Sequence, residues 1–185
     1  MLFQIIGTVT GILNVWLMAK QNVWCWPAGL IYIFASYVVF FEAKLYAELF
    51  SHTAYLVLTI YGWYVWSHPK HKENPIPISG LNLMQMVWLL ILNAIASGIL
   101  GFLLSRFTDN VFPYLDATLA MLSFTAMALQ AHKKIESWHL WGLINAISVG
   151  LYLSRHLYFY AGLYFLFLIL SVTGFWEWKR KPSHS

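Results

Sequence analysis

Four polar or aromatic stripes, each at helical spacing, mark where this chain could do chemistry. Residues three and four apart share one face of a helix. On that spacing Glu48, His52, Tyr55, Thr59, Gly62 and Trp66 make one stripe, and Tyr160, Tyr164, Phe167, Ser171, Gly174 and Trp178 make a second. Trp138, Trp141, Asn145, Ser148 and Tyr152 make a third, and Asp116, Ala120, Ser123, Met127 and Gln130 a fourth. The flanking faces are mostly Leu, Ile, Val, Phe and Ala. At mid-stripe there are hydroxyls, an amide and aromatic faces, with no carboxylate, lysine or arginine. That set suits reversible binding of a neutral or delocalised-cation ring bearing hydroxyls. Aromatic faces attract cations, and an asparagine amide both donates and accepts. The candidate binding residues are Trp141, Asn145, Ser148, His52, Tyr55, Thr59, Ser123, Tyr164, Phe167 and Ser171.

Each candidate has a purely structural alternative. Asn145 can bond a neighbouring helix, and Ser123, Ser148, Thr59 and Ser171 can pack closely or bond the carbonyl four residues back. Tyr55, Tyr164 and Phe167 can be core, His52 a bonded interior histidine, and Gly62 and Gly174 close helix contacts.

Covalent chemistry has no residues to work with. No HExxH motif, nucleophile–base arrangement or pair of intramembrane aspartates is present, so an embedded enzyme is not expected. A retinal photoreceptor would need a mid-span lysine, and the lysines sit at span ends or in loops. Cys25 is the only cysteine, which gives neither a disulfide nor a metal-ligand spacing, and no metal or cofactor is expected. With no acidic relay across the stripes, the expectation is passive, facilitated movement.

The elements that position these stripes follow from composition. The 185 residues are 60% hydrophobic and 10% charged with a mean hydropathy of +0.64, against roughly 25% charged in soluble domains. The expectation is an all-α membrane protein with spans over 1–19, 27–43, 45–66, 83–105, 113–131, 137–154 and 157–178. The first span lacks a basic n-region and a small-x-small site, so it is expected to be retained. Asn145 then lies roughly 12 Å into its helix, near the bilayer midplane.

Seven spans put Lys20, Lys70, Lys72, Lys133, Lys134, Lys179, Arg180 and Lys181 on one side and Lys44, Arg106 and Arg155 on the other. The positive-inside rule makes the first side cytoplasmic and places the N-terminus outside. The net charge of +4 therefore reads as membrane orientation, not as a nucleic-acid patch. All ten tryptophans fall at or near cytoplasmic span ends, as an interfacial belt would.

The chain also repeats itself. LYAELFSHTAYLVLTIYGWYVW at 45–66 and LYFYAGLYFLFLILSVTGFWEW at 157–178 match at an offset of 112, and Gly29-Leu30-Ile31 echoes Gly142-Leu143-Ile144 at 113. The expectation is a single transmembrane domain, 1–185, with three-helix repeats over 1–66 and 113–178 joined by a reversing helix over 83–105. Both triplets run in the same direction, a 3+1+3 parallel-repeat arrangement of the kind transporters use.

KLYAELF…YGWYVW at 44–66 resembles the signature of the PnuC family of bacterial vitamin transporters. So do Asp116-Ala117, Glu136-Ser137-Trp138-His139-Leu140-Trp141, Asn145, Leu151-Tyr152, Leu157-Tyr158, Gly174 and Trp178. The resemblance covers nearly the whole chain. It implies a SWEET-like bundle and uptake of nicotinamide riboside or a related vitamin across the bacterial inner membrane. It further implies trapping by a cytoplasmic kinase, a fold able to form homotrimers in lipid, and Asn145, Trp141 and the aromatic face of the last span beside the substrate. Relatives that carry thiamine or riboflavin, and a sugar carrier on a similar scaffold, are the alternatives. The chain departs from the pattern at Phe175, where the first copy has Trp63, and at His52, where the nicotinamide members are expected to carry Gln.

Overall fold

The computed structural model describes residues 2–42, 46–68, 76–154 and 156–180. Lys44, Leu45, Lys70, Lys72, Arg155, Lys181 and the side chain of Glu48, all invoked above, lie outside the described residues. The chain forms seven helices among these residues: α1 Leu2–Ala19, α2 Cys25–Glu42, α3 Tyr46–Ser67, α4 Leu83–Phe107, α5 Pro113–Ala131, α6 Glu136–Ser154 and α7 Tyr158–Arg180. Their ends fall within about two residues of the expected spans. α4 starts on a capping box, in which Asn82 accepts from the Gln85 amide (2.8 Å) and Gln85 accepts from the Asn82 amide (3.1 Å). α5 carries Pro113 in its first turn, where the missing N–H costs nothing.

The helices pack as a ring. α1 touches α2, α2 touches α3, α3 touches α5, α5 touches α6, α6 touches α7, and α7 returns to α1. Among the described residues α4 packs on α5 alone, outside the ring. Four helices, α1, α2, α4 and α7, are long and apolar enough to cross a membrane by composition. α3, α5 and α6 carry three of the polar stripes, and those residues lower their hydropathy.

The α1–α2 and α5–α6 turns are the same structure 112 residues apart. Gln21 N–H donates to Met18 (2.9 Å) and Asn22 N–H to Leu17 (3.0 Å); Lys133 N–H donates to Gln130 (3.0 Å) and Lys134 N–H to Leu129 (2.8 Å). Both turns pass through the left-handed region, at Gln21 (φ 58°) and Lys133 (φ 50°). Trp26 and Trp138 follow. The benzo edge of each indole abuts a glycine of the following helix, Gly62 of α3 or Gly174 of α7. A Cβ added at Gly174 would stand 2.5 Å from the Trp138 ring, and one at Gly62 would be closer still to Trp26.

This register corrects the offset of 113 expected for the second segment. Trp26 pairs with Trp138, so Gly29 corresponds to Trp141 and Ile33 to Asn145. Gly29 is wedged against Asn14 and Thr59, whereas a Cβ at Gly142 would meet nothing within 4 Å. The shared Gly-Leu-Ile string lies one residue out of step with that register.

Candidate functional site

The amide of Asn145 is buried and donates to the Ser171 hydroxyl across the α6–α7 contact (3.1 Å). Ser171 in turn donates to the Phe167 carbonyl (2.8 Å). Thr59, the residue 112 before Ser171, donates likewise to the Tyr55 carbonyl (2.7 Å), and Ser123 to the Leu119 carbonyl (2.7 Å). Thr59, Ser123, Asn145, Ser148 and Ser171 are all buried. The hydroxyls of Thr59, Ser123 and Ser171 are held by their own helices and still have lone pairs to offer. Trp141 is oriented separately, by a bond from its indole N–H to the buried Gln130 side chain (3.0 Å).

An aromatic wall rises from this layer toward the far ends of the helices. His52 is buried among Phe40, Tyr55, Tyr32 and Tyr37, with ring centroids at 4.8, 5.5, 6.2 and 6.4 Å. Tyr55 also meets Phe124 of α5 edge-on at 5.0 Å. Tyr164 stacks on Tyr152 (5.1 Å), and Phe167 follows edge-on at 6.0 Å. Tyr32 of α2 and Phe167 of α7 both come within 4 Å of a Cβ built at Gly11. The aromatic cluster of α2 and α3 and that of α6 and α7 thus approach each other at Gly11. The wall can stack on a flat ring, and the layer below it can exchange hydrogen bonds with hydroxyls.

At the other end the ring is plugged by four tryptophans. Trp26 meets Trp66 edge-on (5.5 Å, 85°), Trp138 meets Trp178 edge-on (5.4 Å, 89°), and Trp66 meets Trp178 between the two pairs (6.5 Å). Trp26, Trp138 and Trp178 are 1%, 2% and 0% exposed. For these residues the expected interfacial belt is corrected: they are core. The belt reading fits the exposed Trp16, Trp24, Trp63, Trp88 and Trp176. The plug is also cross-bonded, Trp66 N–H to the Ala131 carbonyl (3.0 Å) and Trp178 N–H to the Met18 carbonyl (3.2 Å).

The structure therefore brings Asn145 and Ser171 into contact, and links Tyr55 to His52 and Tyr164 to Phe167. Thr59, Ser123 and Ser148 share their burial without a direct bond among them. Gln130, Tyr32, Phe124 and Tyr152 join the site although they were not among the candidates. Gln130 and Tyr152 already lay on the stripes; α2 was assigned no stripe, and so Tyr32 was missed. Among the described residues no group of three His, Cys, Asp or Glu converges to hold a metal.

The Trp141–Gln130 bond makes a local prediction. Gln130→Leu or Trp141→Phe alone strands a buried polar atom and should cost about 1–3 kcal/mol. The pair together should recover about 1 kcal/mol of that in a double-mutant cycle read by thermal unfolding in detergent. Strict additivity would mean that the bond contributes nothing.

Residues 1–180 match the family model for the nicotinamide mononucleotide transporter. The chain is 26% identical over 203 residues to the nicotinamide riboside transporter PnuC of Escherichia coli K12, covering 95% of this chain and 84% of that one. It is 20% identical over 180 residues to the riboflavin/roseoflavin transporter RibM of Streptomyces davaonensis, covering 95% and 83%. The crystal structure of the vitamin B3 transporter PnuC superposes with a TM-score of 0.77 at 22% identity, covering 95% of this chain and 79% of that one.

Proposed function

Because this chain belongs to the nicotinamide mononucleotide transporter family, a multi-pass membrane family with bacterial members, we propose that it takes up nicotinamide riboside by facilitated diffusion. The observation that carries this reading is the uncharged buried layer of Asn145 and Ser171 beneath an aromatic wall. Nicotinamide riboside is a pyridinium ring on a ribose. The wall would stack on the delocalised cation, and the amide and hydroxyls would meet the sugar. With no carboxylate in the layer among the described residues, no group described there would couple the movement to an ion. Phosphorylation by a cytoplasmic kinase would then keep the product inside.

The architecture proposed for this transport is seven membrane spans in a SWEET-like 3+1+3 arrangement. Residues 1–66 and 113–178 are the parallel repeats and 83–105 the linker. The ring that excludes α4 and the two turns repeating at an offset of 112 support it. The charge distribution supports a periplasmic N-terminus and a cytoplasmic C-terminus in the inner membrane. Homotrimers in the lipid bilayer belong to the same reading. A riboflavin carrier is the second reading, favoured by the likeness to RibM; thiamine stands beside it because of His52.

The test is uptake into proteoliposomes loaded with ATP and the matching kinase. Labelled nicotinamide riboside should accumulate, while the free vitamin without kinase should only equilibrate and should ignore a protonophore. Accumulation of riboflavin or thiamine alone would overturn the substrate assignment, and uphill accumulation driven by a proton gradient would overturn the uncoupled mechanism.

A further inference from the structure

The turn residue Lys133 belongs to the second half of the chain, yet its side chain reaches Trp66 and Gln21 of the first. Its side chain is buried, at 7% exposure, with the ammonium 4.6 Å from the centre of the Trp66 ring and donating to the Gln21 side chain at 3.3 Å. Gln21 is the residue 112 earlier, in the left-handed position of the matching turn. The two turns thus meet through the side chains of their own corner residues. Close by, Trp66 and Trp178 donate to carbonyls of the opposite half, Tyr61 meets His132 at 2.9 Å, and Lys20 pairs with Glu177 at 2.7 Å. These ties between the halves gather at the tryptophan end.

We propose that the tryptophan plug is a gate and that Lys133, held by Trp66 and Gln21, is its latch; this rests on the transporter reading above. Any cargo leaving the Asn145 layer toward that end must part Trp66 from Trp178, the contact that joins the two halves. Parting them takes Lys133 off Trp66 and Gln21 and hydrates its ammonium, so each state offers the charge a partner. The plug is balanced in a second way. Seating each indole on Gly62 or Gly174 favours closure, but the indole N–H groups of Trp26 and Trp138 are buried with no hydrogen-bond partner among the described residues. A buried donor without a partner is a penalty that water removes, so opening relieves what closing imposes.

Cys25 is a built-in reporter. It is the chain's single cysteine, it is 0% exposed, and it packs in one cluster with Met18, Trp26, Trp138 and Trp178. The experiment follows its reaction with N-ethylmaleimide in the full chain in lipid nanodiscs, without any vitamin. Lys133→Met keeps the apolar stem and removes the charge. It should speed labelling about tenfold, the equivalent of 1.4 kcal/mol, with Gln21→Leu moving the rate the same way and Lys133→Arg staying near the parent. Trp26→Phe, which deletes an unpaired donor and keeps a ring, should slow labelling. Parent-like rates in folded Lys133→Met and Gln21→Leu would overturn the latch. Should Lys133→Met fail to fold, Gln21→Leu, half-buried in its turn, decides alone. Because no substrate is present, failure of uptake and failure of the latch are read separately.

Discussion

Asn145→Ala should raise the dissociation constant for the transported vitamin by about 10- to 100-fold while leaving the protein folded. The first half of that expectation follows from the energy of a buried hydrogen bond to a polar or charged ligand, roughly 1.5–3 kcal/mol. The second follows from the local bonding. Asn145 donates to Ser171, but Ser171 already spends its own proton on the Phe167 carbonyl at 2.8 Å. Losing the amide strands no donor, and a small cavity is the only structural cost. Ser171→Ala should have a smaller effect on binding, because it removes only the amide's anchor. Titration calorimetry and thermal unfolding on the same preparations separate the two. Unchanged affinity in Asn145→Ala would remove that residue from the site.

Gly62→Ala and Gly174→Ala should each destabilise the fold by about 1–3 kcal/mol, the usual cost of overpacking, and slow or abolish transport. The added methyl at Gly174 would stand 2.5 Å from the Trp138 ring, and that ring is hemmed in edge-on by Trp178. A flexible chain tip could swing away; a buried indole cannot. Gly142→Ala and Gly150→Ala are the controls. Nothing lies within 4 Å of a Cβ at either, and alanine is the better helix former by up to about 1 kcal/mol. Those two variants should melt at or above the parent temperature. Equal losses at all four glycines would show that the tryptophan contacts are incidental.

Helix number and boundaries were readable because length and apolar content fix them. The Asn82–Gln85 capping box and Pro113, which mark the starts of α4 and α5 in the structure, are local signals the apolar spans did not need. The polar stripes were readable as far as the 3.6-residue period reaches. Asn145 and Ser171 share a level, and they meet. Two things were harder to read. An interfacial tryptophan and a plugging tryptophan look identical in sequence, since both occur at helix ends, and only the glycine beneath the ring tells them apart. Trp26/Trp138 over Gly62/Gly174, both pairs at an offset of 112, was that signal. The register of the second segment was misread because three matching letters outweighed it, and one residue of slip turns a helix by about 100°. Tyr32 was missed because α2 is apolar on most sides, so no stripe drew attention to it.

The two halves are alike in their turns, their indole seats and their serine and threonine back-bonds, but not at one level. Where α6 has Asn145, α2 has Ile33, a buried aliphatic side chain. On the proposed repeat, the second half alone carries an amide at this level. On the proposed path a cargo would meet a hydrogen-bonding group from one flank and an aliphatic one from the other, which would favour a single pose. A molecule with matching ends would gain nothing from such a lopsided berth, whereas a flat base joined to a sugar has two ends worth telling apart.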